Sequence, residues 1–193
     1  MAWRKRHYDS NGSESLVTVD GVDFKIREPS YTVGTPEYRI WYSHKFNGPG
    51  LRYEIGVCIQ NANIVWIAGP FPAGDYPDVE IFQMGMMNYL DEGETVEADS
   101  GYTGDIPVRT PDDFGGNIEW RRMKGKARAR HETINGAIKQ YAIMNDVYRH
   151  SIHKHNSLLK AVCALVQSEI EEGNITFQID YNVVRPVQHA MDA

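Results

Sequence analysis

The sequence predicts an α/β fold, a mixed sheet with helices packed on it, and three observations carry that expectation. Apolar residues alternate with polar ones over several segments of the N-terminal half, the signature of strands. Apolar residues recur every three to four positions nearer the C-terminus, the signature of helices. The segments run strand, strand pair, helix, strand, short strand, helix, helix, an order that suits one layered core. A chain of 193 residues has room for one such core and little more.

The first element is 15–26, SLVTVDGVDFKI, where Val17 and Val19, then Val22, Phe24 and Ile26, flank Asp20-Gly21. This predicts a strand, or a hairpin turning at Asp20-Gly21. Residues 51–72 read as two strands joined at Asn61, Ala62 and Asn63, with Ile55, Val57 and Ile59 on one face and Val65 and Ile67 continuing the pattern. In 78–90, Val79, Phe82, Met86 and Leu90 fall at helical intervals behind Asp78 as a cap. DEGETVEADSGY then returns to strand, ending at Asp99, and PVRT offers a short further strand. A long helix is expected from about Arg121 to Met144, and a core helix in NSLLKAVCALVQSEIEE presenting Leu158, Val162, Leu165, Val166 and Ile170. Residues 1–15 and 173–193 read as extensions of a domain over 16–172, the last ten or so loosely ordered.

Composition narrows the function classes. With 41% hydrophobic and 24% charged residues the chain is not broadly disordered. It lacks the run of roughly 20 apolar residues that a membrane span needs, and the basic N-terminus has no apolar segment after it, so an intracellular protein without a membrane partner is expected. Cys58 and Cys163 sit in apolar segments without C-x-x-C spacing and read as reduced core thiols. A net charge of −6 means that any surface for a polyanion is local.

Candidate chemistry lies where strands end. Asp20 and Asp99 each close a run rich in β-branched residues, with glycine shortly after. Glu132 lies on the long helix. At about 100° per residue, Ile134, Ala137, Ile138 and Tyr141 fall opposite it, while Arg128, Asn135, Gly136 and Lys139 fall within about 60° of it. Taken singly these are bland: Arg128–Glu132 reads as a surface i, i+4 pair and each aspartate as a turn residue. Taken together, three converging carboxylates would repel one another unless a cation joined them, and oxygen ligands favour Mg²⁺ or Mn²⁺. Two such ions about 4 Å apart suit in-line substitution at a phosphodiester. The run RRMKGKARAR, with Arg121, Arg122, Lys124, Lys126, Arg128 and Arg130, leads into Glu132 and supplies charge for phosphate. HSIHKH lacks partners at zinc spacing and reads as a polar loop, and Trp41 and Tyr42 read as packing residues more readily than base-stacking ones.

Four segments, VDGVDFKI, AGDYPDVEIF, ADSGYTG and RARHETINGAIK, occur in order, with 32 residues between Asp99 and Glu132. In this the chain resembles the catalytic domain of DDE transposases of the PIF/Harbinger group and related bacterial insertion-sequence transposases, from about Leu16 to Ala164. The resemblance implies an RNase H-like fold, a three-strand antiparallel meander plus parallel strands with flanking helices. It implies Asp20, Asp99 and Glu132 as catalytic residues and ligands of two divalent ions, with Asp78 as an additional candidate ligand. Arg128 and Lys139 match the family's basic positions and would touch DNA phosphates. His131 stands where an apolar residue is usual, and slight disturbance of packing is expected there. Only 19 residues precede Asp20, so a separate DNA-recognition protein is an expected partner, and assembly into an oligomer is compatible with this reading. In a eukaryote the implied location is the nucleus. The rival readings are a non-catalytic nucleic-acid or protein-binding derivative of the same fold, and a nuclease acting on RNA.

Overall fold

The computed structural model describes residues 3–7, 15–27, 39–104, 106–110, 118–175 and 177–179. Most of the predicted C-terminal extension and part of the N-terminal one therefore lie outside the described residues. The strands are β1 (Ser15–Lys25), β2 (Tyr42–Ser43), β3 (Gly48–Cys58), β4 (Ile64–Pro72), β5 (Thr95–Glu97) and β6 (Val108–Arg109). The helices are α1 (Asp78–Met84), α2 (Ile118–Gln140), the single turn α3 (Ala142–Asn145) and α4 (Ile152–Glu171), with 3₁₀ turns at Trp3–His7 and Met86–Tyr89.

β1 is one continuous strand, not a hairpin. Asp20 and Gly21 pair in register with Ile55 and Glu54 of antiparallel β3, so the glycine marks a close approach and not a turn. A Cβ on Gly21 would lie 2.0 Å from Oδ1 of Asp78. β3 and β4 form the expected antiparallel pair around Asn61–Asn63, and β2 also pairs with β3. On the other side of β1, β5 and then β6 add in parallel. The sheet is mixed, with β4 and β2 beside β3, then β1, β5 and β6.

Strand alternation divides the core in two. Val22 and Phe24 of β1 and Ile26 just after it, with Leu51, Tyr53, Ile55 and Val57 of β3, bury against Ile134, Ala137 and Ile138 of α2 and Leu159, Val162, Cys163, Val166 and Ile170 of α4. Val17 and Val19 face the other way, into a cluster with Phe82 and Met86 of the α1 segment, Val96, Ala98 and Tyr102. From Thr18 onward the even positions of β1 therefore look toward α2, and Asp20 is among them.

Helix α4 runs as predicted except for one face. Leu165 is 53% exposed, while Leu159 and Cys163, one helical turn apart, fill the core instead. HSIHKH is not a loop: Ile152 begins α4, and His155 is fully buried, its Nδ1 2.9 Å from the Tyr53 hydroxyl. Both cysteines are buried, and neither is in a disulfide. Asp78 is the first residue of α1, behind Pro77, and makes no side-chain capping bond. Among the described residues no helix is long and apolar enough to cross a membrane.

Candidate active site

The middle of β1, the end of β5 with the turn after it and one helix make a cleft of about 420 Å³ whose walls include Thr18, Asp20, Glu97, Asp99, Arg128, His131 and Glu132. Parallel pairing explains the aspartates. Thr18 stands opposite Glu97 in the β1–β5 ladder, and Asp20 and Asp99 each lie two residues further on, on the same face by strand alternation. β5 itself ends at Glu97, two residues short of the predicted end. Beyond it the chain turns, with the Gly101 amide donating to Asp99 Oδ1 at 2.8 Å.

The third wall is α2, and its buried arc is wider than its apolar stripe. Besides Ile134, Ala137 and Ile138, the polar residues Lys124, Arg130, His131 and Asn135 are 2–6% exposed. Three of these form a seam on one edge of the helix. Lys124 Nζ lies 2.8 Å from Glu97 Oε2, Thr18 Oγ1 is 2.8 Å from His131 Nδ1, and Asn135 Nδ2 donates to Asp20 Oδ2 at 3.0 Å. Thr18 Oγ1 also lies 3.2 Å from the Val57 carbonyl, to which only the hydroxyl can donate, so His131 donates from Nδ1. The expected disturbance at His131 is thus replaced by a tie between α2 and β1.

Asp20 lies under opposing charges. Burial raises its pKa, and the neighbouring Asp99 charge raises it further, against opposing contributions from Lys45 and Lys139. Lys45, whose ammonium donates to the Gly21 carbonyl, enters from the turn between β2 and β3. Nothing in the polar segment around it signals that placement, which depends on how β2 pairs with β3.

The predicted basic run divides by helix geometry. Arg121, Arg122, Lys126 and Arg128 are exposed, and Arg128 lines the cleft. Lys124 is turned inward onto Glu97, and Arg130 donates through its guanidinium to the carbonyls of Cys58 and Ile59. At 100° per residue, positions 124, 127, 130 and 131 must share the inner side, so these two cations serve the fold and not a phosphate surface. Lys139 is half-buried, near Phe24.

Asp78 is not among the residues lining the cleft, although the charge of Asp20 contributes to raising its pKa. It packs against Gly21, an odd position of β1 and therefore on the opposite face of the sheet from Asp20, with Oδ1 3.4 Å from Arg52 Nε. There it joins a second acidic set. Asp23 is paired with Arg52 at 2.8 Å and bonded by the Ser43 hydroxyl at 2.5 Å. Glu54, 1% exposed, accepts from Trp66 Nε1 at 2.9 Å, and burial pushes its pKa up to about 8. Tyr102 brings its buried hydroxyl to this set, its pKa raised by burial and then by Glu54 and Asp78.

The cleft acids meet a metal's requirements in donor chemistry. They are all oxygen donors, and the burial of Asp20 beside the Asp99 charge creates repulsion that a hard cation would relieve. Among the described residues, no three His, Cys, Asp or Glu side chains stand close enough to share one ion. Asp20, Asp99 and Glu132 line the same cleft without closing on a common point.

A mixed sheet flanked by helices thus places one acid on β1, one just past β5 and one on the facing helix α2 around a single cleft. A family model of the DDE superfamily endonuclease matches residues 19–167, and the chain belongs to that family. No curated protein and no solved structure matches the chain.

Proposed function

We propose that this chain is a metal-dependent DNA endonuclease or transposase-like catalytic domain of RNase H-like architecture, with Asp20, Asp99 and Glu132 as its catalytic acids. One observation carries the reading: the three acids, distant in sequence, line a single cleft within the family-matched segment. The sheet order β4-β3-β1-β5-β6, a three-strand antiparallel meander continued by parallel strands, supports the RNase H-like assignment. The four ordered motifs support placement near the PIF/Harbinger and bacterial insertion-sequence groups.

The family generally uses divalent metals, and Asp20, Asp99 and Glu132 are the residues that would hold Mg²⁺ or Mn²⁺. When bound, two such ions supply activation of the attacking oxygen and charge stabilisation at the leaving oxygen. The protein's own contribution is placement. β1 and the turn after β5 fix the aspartates, α2 carries Glu132, and exposed Arg128 meets phosphate at the cleft, with Arg121, Arg122, Lys126 and Lys139 extending the basic track. DNA is the proposed substrate, a separate protein the proposed source of sequence recognition, and the nucleus the working location in a eukaryote.

The test is Mg²⁺- or Mn²⁺-dependent nicking of DNA by the purified chain beside Asp99→Asn. Loss of at least 100-fold is expected in the variant; equal nicking removes Asp99 from the mechanism. A second reading, a non-catalytic binding derivative, draws on the absence of a three-ligand cluster among the described residues. Mn²⁺ titration separates the two, because carboxylate-dependent binding belongs only to the catalytic reading.

A further inference from the structure

Asn135 is an expensive residue in its position. It is 6% exposed, and its Oδ1 is buried without a hydrogen-bond partner. A half-satisfied buried amide costs stability that an apolar side chain of the same shape would not. Among the described residues its side chain makes one hydrogen bond, from Nδ2 to Asp20 Oδ2 at 3.0 Å.

The surrounding geometry makes that bond well defined. His131 and Asn135 stand one helical turn apart, about 6 Å along α2. Their partners Thr18 and Asp20 stand two residues apart on β1, about 6.6 Å. Two rungs of matched spacing therefore join helix to strand, one ending on a hydroxyl and the other on a cleft acid. Asn135 is also three residues after Glu132, so the helical turn that carries one cleft acid grips another.

We propose that Asn135 is a positioning residue for Asp20: its amide fixes the rotation of the carboxylate within the cleft and ties it to the turn bearing Glu132. The consequence for metal rests on the reading of Asp20 as a ligand; the hydrogen bond itself does not. Because an amide held to a ligating carboxylate orients it, its removal typically weakens metal binding by about 10- to 100-fold.

Two measurements on the full chain test this. In the absence of metal, the side-chain amide resonances of ¹⁵N-labelled Asn135 are expected to shift on Asp20→Ala; unmoved resonances overturn the proposal. Mn²⁺ titration by electron paramagnetic resonance then compares Asn135→Leu with Thr18→Val, which cuts the neighbouring rung. Asn135→Leu is expected to bind Mn²⁺ about 10-fold or more weakly, and Thr18→Val within about twofold of the parent. Equal affinity in Asn135→Leu, or an equal loss in Thr18→Val, overturns the positioning role in favour of general helix docking. If Asn135→Leu does not fold, Asn135→Ala, which removes the donor without adding charge, reads the same loss. A parent chain without Asp20-dependent Mn²⁺ binding overturns the metal-dependent function instead, and the resonance shift then decides the proposal alone.

Discussion

Glu54→Gln is expected to stabilise the protein, and by an amount that grows with pH. Glu54 is buried on the face of the sheet away from the cleft, where burial, and then the charge of Asp78, raise its pKa from 4.5 to about 8. A raised carboxyl pKa contributes stability that is fully present below the unfolded value and is lost as pH rises through the folded one. At pH 7 the unfolded carboxyl has released its proton while the folded one has kept it. With 1.36 kcal/mol per pKa unit, this gap costs the native state about 3 kcal/mol relative to pH 4. Glutamine is neutral throughout and retains an oxygen for the Trp66 indole N–H, so the variant should be close to the parent near pH 4 and about 3 kcal/mol more stable at pH 7. For a chain of this size that is roughly 6–12 °C in Tm. Urea unfolding followed by tryptophan fluorescence at pH 4, 5, 6 and 7 reads the difference. A gain that does not change with pH would refute the argument, because it would show that Glu54 is already ionised in the folded state.

Gly21→Ala should destabilise the chain by about 1–3 kcal/mol and lower nicking more than that loss explains, because its Cβ would meet the Asp78 carboxylate at 2.0 Å on the strand that carries Asp20. Thermal unfolding and single-turnover nicking check the two parts. Arg128→Gln and Arg130→Met should separate cleanly: the first weakens DNA binding and reduces the salt slope by about one with stability unchanged, while the second lowers stability by removing donors to Cys58 and Ile59. Fluorescence anisotropy across a salt series, beside urea unfolding, distinguishes them. His155, whose pKa burial lowers to about 4, contributes a loss of about 2 kcal/mol as pH falls from 6.5 to 5, which the Glu54 gain over the same window offsets in the parent; His155→Gln should therefore gain about 2 kcal/mol relative to the parent between pH 6.5 and pH 5 in a pH series of urea unfolding.

The sequence is informative wherever periodicity is strong. The β3–β4 pair, the short strand near Val108, the long helix before Gln140 and the core helix of Ile152–Glu171 follow from apolar spacing that local geometry converts directly into buried faces. The readings left open or overturned have a common origin in contacts between distant segments. Asp20-Gly21 looks like a turn because both residues favour turns, yet nine consecutive pairs with β3 hold it straight, and the glycine serves a side chain 57 positions away. Arg130 and Lys124 look like part of a phosphate surface because a charge run carries no record of which members find partners inside.

The sequence by itself determined that two aspartates belong to β-prone segments, that a glutamate lies opposite the apolar stripe of a helix, and that these acids fall within four ordered motifs of a DDE endonuclease; that Asp20 would close its strand was not so, because β1 continues to Lys25. Only the tertiary structure decided which acids share a face. Strand alternation sends Asp20 toward α2 and places Asp78 behind Gly21 on the other side of the sheet, a distinction that depends on register. The tertiary structure also decided that Lys124, His131 and Asn135 form a buried polar seam. Their partners Glu97, Thr18 and Asp20 reach them only when the parallel β1–β5 ladder and the helix above it are both in place.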